Sequence, residues 1–156
     1  MRGSSVIRVM VVDDQPLVRN AMVAFLLTHD DFLIVGAATN GLEALQMCEY
    51  TTPDVILMDL LMAGMDGATA TRAIRKRHPH VQVIILTGFK ETHLIQDALQ
   101  AGAVDYWLKG NTGDELADAI RLAYHRQPLS TREVVQKLDY HLSRPQSLTP
   151  REVSYQ

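Results

Sequence analysis

The chain has 156 residues, of which 47% are hydrophobic and 21% charged, with a formal net charge of -3; that length suits one compact domain with a short appendage. The charge balance lacks the positive excess with which a nucleic-acid surface displaces counterions from phosphates, and a lone cysteine, Cys48, excludes an intramolecular disulfide and a thiolate zinc site. No apolar run reaches the roughly 18 residues of a bilayer-spanning helix, and no signal-peptide pattern follows Met1–Ser5, so a cytoplasmic location without membrane attachment is expected.

In chain order, the residues predict a strand over Ile7–Val12, a helix over Leu17–Thr28, a strand over Phe32–Ala37 and a helix over Leu42–Glu49. A strand over Val55–Met58, a helix over Ala68–Arg77, a strand over Val81–Leu86 and a helix over Thr92–Gln100 follow, then a strand over Val104–Leu108 and a helix over Asp114–His125. The strands are mostly continuous Val/Ile/Leu runs, as interior strands buried on both faces are, while the helical segments space apolar residues three or four apart. This alternation predicts an α/β fold with a doubly wound, five-stranded parallel sheet.

Two capping-box patterns punctuate the C-terminal part. Thr112 with Glu115 opens the last helix of the sheet domain, and Ser130 with Glu133 opens a further amphipathic helix whose Val134, Leu138 and Leu142 share one side. Pro128 and Pro145 bracket that segment. Cys48, on an apolar helix face, reads as a small core residue, and the six histidines read as solvated surface because no His/Cys grouping has metal-ligand spacing.

The polar residues at the carboxyl ends of the strands carry the chemistry, because loops leave a parallel sheet there and a crevice opens where the strand order reverses. Asp13-Asp14 end the first strand, Asp59 the third, Thr87-Gly88 the fourth and Lys109 the fifth. Each acid alone is explained by a turn or a helix cap. Together they bring three carboxylates, a hydroxyl and an ammonium to one small region. Clustered carboxylates repel one another and invite a hard divalent cation with oxygen ligands, for which magnesium is the natural candidate. The reaction that uses every part is phosphoryl transfer onto Asp59, with the cation and Lys109 neutralising phosphoryl oxygens and Thr87 donating a hydrogen bond.

These residues, in this order, resemble the receiver domain of bacterial two-component response regulators, a flavodoxin-like fold, from about Ile7 to Arg126. The resemblance is carried by Asp13-Asp14, by Met58-Asp59 through Gly64-Met65-Asp66-Gly67, by Thr87-Gly88, and by Gly102 through Lys109. It implies Asp59 as phosphoacceptor, Asp14 as a direct and Asp13 as a water-mediated magnesium ligand, and the backbone carbonyl of Leu61 as a further ligand. It also implies Thr87, Tyr106 and Lys109 as the residues that sense the phosphoryl group; from the residues alone, Tyr106 is equally an aromatic packing in the core. Two departures stand out: Ala63 replaces a common proline before Gly64, and Gly110 replaces a proline that many receivers place after the lysine.

The tail carries a second resemblance, since Leu148-Thr149-Pro150-Arg151-Glu152-Val153 looks like the opening of the helix-turn-helix output domain of the LuxR/NarL branch. The expected organisation is a receiver domain over 6–127, a linker with an amphipathic helix over 128–147, and the start of a truncated output domain over 148–156. The implied partners are a sensor histidine kinase and a second copy in a phosphorylation-dependent homodimer, with DNA reached only through the missing output domain.

An aspartate-nucleophile phosphatase would also place an acid after a parallel strand, but it needs a second acid two residues later, where this chain has Leu61. An enzyme with substrate turnover is therefore not expected. The remaining alternative is a non-phosphorylated, receiver-like protein-interaction module. Leu61 and Phe89, two residues after Asp59 and Thr87, are apolar and bulky, and should slow hydrolysis of any aspartyl phosphate by leaving no group to orient water.

Overall fold

The computed structural model describes residues 6–88, 92–125 and 131–143. Its elements are β1 (Ile7–Val12), α1 (Pro16–Leu26), β2 (Phe32–Ala38), α2 (Gly41–Thr51), β3 (Val55–Asp59), α3 (Gly67–Arg77), β4 (Gln82–Thr87), α4 (Thr92–Gln100), β5 (Asp105–Leu108), α5 (Gly113–Tyr124) and α6 (Thr131–Ser143). The five strands are parallel and ordered β2-β1-β3-β4-β5, the doubly wound sheet that the alternating pattern predicts.

Strand alternation sorts the side chains into two cores. On one face Val9, Val11, Leu57, Ile84 and Leu86 pack against Leu26 of α1 and Leu116 and Ile120 of α5. On the other, Met10, Ile56, Met58, Val83 and Ile85 pack against α2, α3 and α4, and also against Val134 and Leu138 of α6. Cys48 is buried in this second layer, and burial pushes its thiol up to about 11. β2 is the least buried of the longer strands because it lies at the sheet edge, and its pairing with β1 slips between Val9 and Met10.

Element ends depart from the expected ones by one or two residues, for local reasons. α1 begins at Pro16, whose fixed φ suits the first helical turn, and it ends at Leu26 because, after the last i to i−4 bond from the Leu27 amide to Val23, the amides of Thr28 and His29 tighten onto the i−3 carbonyls of Phe25 and Leu26. Val81 belongs to the turn before β4, its amide donating to the His78 carbonyl. Asn40 caps α2, Asp66 caps α3 and Thr112 caps α5, each side chain accepting a hydrogen bond from the amide three residues on. The Thr112–Glu115 cap is as expected. Ser130, Pro128, Pro145, Phe89 and the 144–156 tail lie outside the described residues, as does the side chain of Leu142.

The histidines are not uniformly solvated. His29 is half-buried between Phe25 and Phe32, with ring centroids 4.9 and 5.2 Å away, and His78 lies 3.1 Å from Glu49. Their expected exposure fails because each sits where an element end meets a neighbouring element.

Candidate functional site

The chain leaves β1 toward β2 on one side and returns to β3 on the other, so the carboxyl ends of β1 and β3 flank the point where the strand order reverses. Asp13, Asp14 and Asp59 meet there, each offering a carboxylate oxygen within 4.8 Å of the others. Asp13 and Asp59 are buried while Asp14 is exposed. Lys109, just beyond β5, reaches across the strand ends: its Nζ donates to Asp13 Oδ2 at 3.0 Å and to Asp59 Oδ1 at 3.2 Å. Four of the residues expected at the site are thus gathered within one charged cluster.

The backbone holds this cluster at several points. The Lys109 amide donates to the Thr87 carbonyl at 2.7 Å, and Gly110 then turns with φ of +104°, a left-handed value closed to a proline. The Gln15 amide donates to Asp13 Oδ1 at 2.9 Å, and Arg19 Nη1 donates to the Asp13 carbonyl at 2.8 Å. Leu60 is tied on both sides, its amide to Leu86 and its carbonyl to the Gly67 amide. Gly67 packs so closely behind Asp59 that a Cβ there would run into the Asp59 carbonyl oxygen and stand 2.9 Å from Leu60 Cα.

Electrostatics follow from burial and charge. Burial pushes the Asp59 carboxyl up to about 6; Lys109 opposes the rise, while Asp13 and then Asp14 add to it. Burial works against the Lys109 ammonium, but hydrogen bonds and charge from Asp13 and Asp59 outweigh it and raise its pKa. The donor set fits a hard divalent cation: it contains oxygen alone, from two buried carboxylates and one open to solvent, and its buried central acid is poorly neutralised without further positive charge. Asp13, Asp14 and Asp59 are the residues that could hold it.

Thr87 is buried at the end of β4, one residue beyond the level at which Leu86 pairs with Asp59. Tyr106 is also buried; it pairs with Ile85, two residues before Thr87 and on the same face of the sheet. Burial raises the Tyr106 hydroxyl pKa well above the usual tyrosine range, with Asp105 and Asp139 adding to the rise. Leu61 lies in the loop after β3, two residues beyond Asp59, and is 49% exposed. Beside Lys109, an open apolar groove of about 400 Å³ runs between α1 and α5, lined by Leu17, Met22, Phe25, Trp107 and Leu116.

Sequence reasoning missed Gly67 as the residue that lets α3 pack against the Asp59 backbone, and Arg19 as a tie on the acidic turn. Arg19 gives no local signal, since its bond to Asp13 depends on where the first turn of α1 carries it.

Comparison with known proteins agrees with this geometry. Residues 9–121 match the family model described as the response regulator receiver domain. Over 132 residues the chain is 39% identical to the transcriptional regulatory protein LiaR of Bacillus subtilis, covering 85% of this chain and 63% of that protein; the chain thus spans less than two thirds of the length of this curated relative. A DNA-binding response regulator of the LuxR family from Staphylococcus aureus superposes with a TM-score of 0.72 at 33% identity, covering 76% of this chain and 99% of that one. A LuxR-family two-component response regulator from Aurantimonas superposes with a TM-score of 0.79 at 28% identity, covering 90% and 100% of the two chains. With the fold, the acidic triad at the strand-order reversal and the family match in agreement, the chain belongs to the response regulator receiver domains of two-component systems, with its likeness on the LuxR/NarL branch.

Proposed function

We propose that this domain is a phosphorylation-activated switch that accepts a phosphoryl group on Asp59 from the phosphohistidine of a sensor kinase. The observation that carries this is the meeting of Asp59 with Lys109, Asp13 and Asp14 at the strand-order reversal. An Asp59 carboxylate oxygen attacks phosphorus, forming the new O–P bond as the bond to the donor imidazole nitrogen breaks, and the imidazole departs with the electron pair. Lys109 offsets charge on the phosphoryl oxygens, and the Thr87 hydroxyl donates a hydrogen bond to one of them. Asp14, Asp59 and the Leu61 carbonyl would hold magnesium directly and Asp13 would hold it through water, and the ion would supply further charge neutralisation when bound. The apolar groove beside Lys109, with Leu17 83% exposed at its rim, gives a helical donor a surface on which to dock.

The domain does not turn over a substrate, because Leu61 stands where an aspartate-nucleophile phosphatase carries its acid. For the same reason the phosphoryl group on Asp59 decays slowly, Leu61 and Phe89 being unable to orient a water, and Leu61→Asn shortens its lifetime. The phosphorylated state acts through protein association as a homodimer in the cytoplasm, and reaches DNA only through an output domain. Among the described residues, no helix is long and apolar enough to cross a membrane.

Incubation with acetyl phosphate and magnesium, followed by intact-mass measurement, tests the assignment. The expected result is a gain of one phosphoryl group, labile to hydroxylamine and absent in Asp59→Asn. No gain on the folded protein, or an equal gain in Asp59→Asn, would overturn it in favour of a non-phosphorylated interaction module.

A further inference from the structure

The loop from β2 to α2 borders the acidic site without belonging to it. At its start the Ala38 carbonyl accepts from the Asp13 amide at 3.1 Å, and at its end Gly41 opens α2 against the loop after β3. A Cβ on Gly41 would stand 2.7 Å from Ala70 Cβ and 3.0 Å from the Met65 carbonyl oxygen, so the chain has no slack at this point. The residue before it, Asn40, is the one asparagine of the chain followed by glycine; Asn20 precedes Ala21 and Asn111 precedes Thr112.

An Asn-Gly pair is prone to cyclise, because glycine puts no side chain in the way when its nitrogen attacks the asparagine side-chain carbon. Folding suppresses the reaction where it holds the two groups apart, and here it brings them together. The Asn40 ψ of 172° sets the Gly41 nitrogen gauche to Asn40 Cβ. The side chain then folds over the first turn of α2, its Oδ1 accepting from the Glu43 amide at 2.8 Å. That bond also stabilises the negative charge that Oδ1 gains during attack. As the first amide of α2, the Gly41 N–H has no acceptor within the helix and makes no hydrogen bond among the described residues, and the positive end of the helix favours loss of its proton. The Thr39 hydroxyl lies 3.4 Å from Asn40 Nδ2 and 3.0 Å from Glu43 Oε1, a path by which a proton reaches the departing nitrogen.

We propose that Asn40-Gly41 is a self-modification site, at which the folded chain loses ammonia and acquires an aspartate at position 40. The Gly41 nitrogen gives up its proton and bonds to Asn40 Cγ, the Cγ–Nδ2 bond breaks, and Nδ2 leaves with a proton as ammonia, closing a succinimide. Water then opens the ring at one of its two carbonyl carbons. Attack at Cγ restores the original main-chain path as aspartate, while attack at the Asn40 backbone carbonyl carbon reroutes the chain through Cβ and Cγ as isoaspartate. A free succinimide opens mostly to isoaspartate. In this fold the longer path would drive Gly41 into Ala70 and the Met65 carbonyl, whereas aspartate caps a helix as well as asparagine does. Aspartate is therefore the main product, and it adds one negative charge to the formal -3 of the chain beside the acidic turn.

Incubation of the full chain at neutral pH in water enriched in the heavy oxygen isotope tests this, with released ammonia, peptide mapping and methylation by an isoaspartyl methyltransferase as readings. The expected result is one heavy oxygen gained at position 40 with aspartate in excess over isoaspartate, at a rate within about tenfold of that of the same chain unfolded in urea, where isoaspartate predominates. A reaction that had to wait for global unfolding would instead be slower by roughly 1,000-fold or more. Asn40→Ser, which keeps a capping hydroxyl, should release no ammonia. A folded-chain rate below that tenfold range, isoaspartate in excess in the folded chain, or ammonia lost from Asn20 or Asn111 in place of Asn40 would each overturn the inference.

Discussion

Lys109 holds Asp59 directly, Nζ to Oδ1 at 3.2 Å, while its second hydrogen bond goes to the fully buried Asp13 at 3.0 Å. One ammonium therefore serves two carboxylates that would otherwise face each other across the end of the sheet. Lys109→Ala leaves both acids without a cation and should destabilise the metal-free protein by about 2–4 kcal/mol, with part of the loss recovered by magnesium. It should also slow phosphorylation by acetyl phosphate on the order of 100-fold, because a charge aimed at the phosphoryl oxygens is gone. Urea unfolding in EDTA and a single-turnover rate provide the two readings, and a wild-type rate in Lys109→Ala would remove Lys109 from the transfer step.

The elevated Asp59 pKa has a thermodynamic signature. Its folded-state value of about 6 lies above the ordinary 3.8, so between these two pH values the folded protein retains a proton that the unfolded chain has released. Stability from this group is present below the unfolded value and is lost as pH rises through about 6. Asp59→Asn removes the loss, and in EDTA at pH 7 it should be more stable than the wild type by about 1–3 kcal/mol. Saturating magnesium should narrow that gap by stabilising the wild type more than Asp59→Asn, which lacks one of the carboxylates that hold the ion. Parallel stability curves for the two proteins from pH 4 to 7 would contradict the raised carboxyl.

Asp13 and Asp14 are adjacent in sequence but unlike in structure. Both oxygens of Asp13 are engaged, Oδ1 by the Gln15 amide and Oδ2 by Lys109, whereas the exposed Asp14 carboxylate has no hydrogen-bond or ion-pair partner among the described residues. Asp14 is the acid whose oxygens are available for direct coordination. Asp14→Ala should therefore weaken magnesium binding more than Asp13→Asn, by about 10-fold or more against a smaller effect. The indole of Trp107, anchored by its Nε1 donating to the Thr112 carbonyl at 3.3 Å, lies in the groove beside Lys109 and offers a fluorescence readout. Equal magnesium affinities would refute the ordering.

The sheet was legible because interior parallel strands are apolar on both faces, so Ile7–Val12 and the run ending at Leu86 announce themselves without any partner information. The site was legible for a related reason: polar residues directly after such runs stand out. Asp13, Asp14, Asp59 and Lys109 could be read as one cluster once the strands were aligned. Their pairing could not, because Lys109 and Asp13 are 96 residues apart and which acid takes the ammonium depends on side-chain reach across three strands. The amphipathic stripe of α6 was equally visible, but a stripe states only that some surface must cover it. Which surface, the α4–β5 face, is a tertiary fact. His29 misled for the same reason, since its aromatic neighbours Phe25 and Phe32 belong to different elements.

Gly67 and Gly88 separate a glycine required by packing from one that is not. Both lie near the carboxyl ends of central strands, and both belong to the motifs by which the family is recognised in the sequence. Behind Asp59, Gly67 has no room for a side chain: a Cβ would meet the Asp59 carbonyl oxygen and the Leu60 backbone, neither of which is the flexible end of a side chain. The Gly67 amide also donates to the Leu60 carbonyl, so the start of α3 cannot retreat without losing a hydrogen bond that ties the loop. Relief must come from displacement of the Asp59 backbone. Gly67→Ala should therefore cost about 1–3 kcal/mol and, because the reacting carboxylate moves with its backbone, also slow phosphorylation about tenfold or more. At Gly88 a Cβ meets nothing within 4 Å, so Gly88→Ala should stay within about 0.5 kcal/mol of wild-type stability. The comparison is read from urea midpoints and phosphorylation rates of the two variants side by side. A Gly67→Ala protein that is destabilised but phosphorylated at the wild-type rate would show that α3 yields to the added methyl group while Asp59 stays in place.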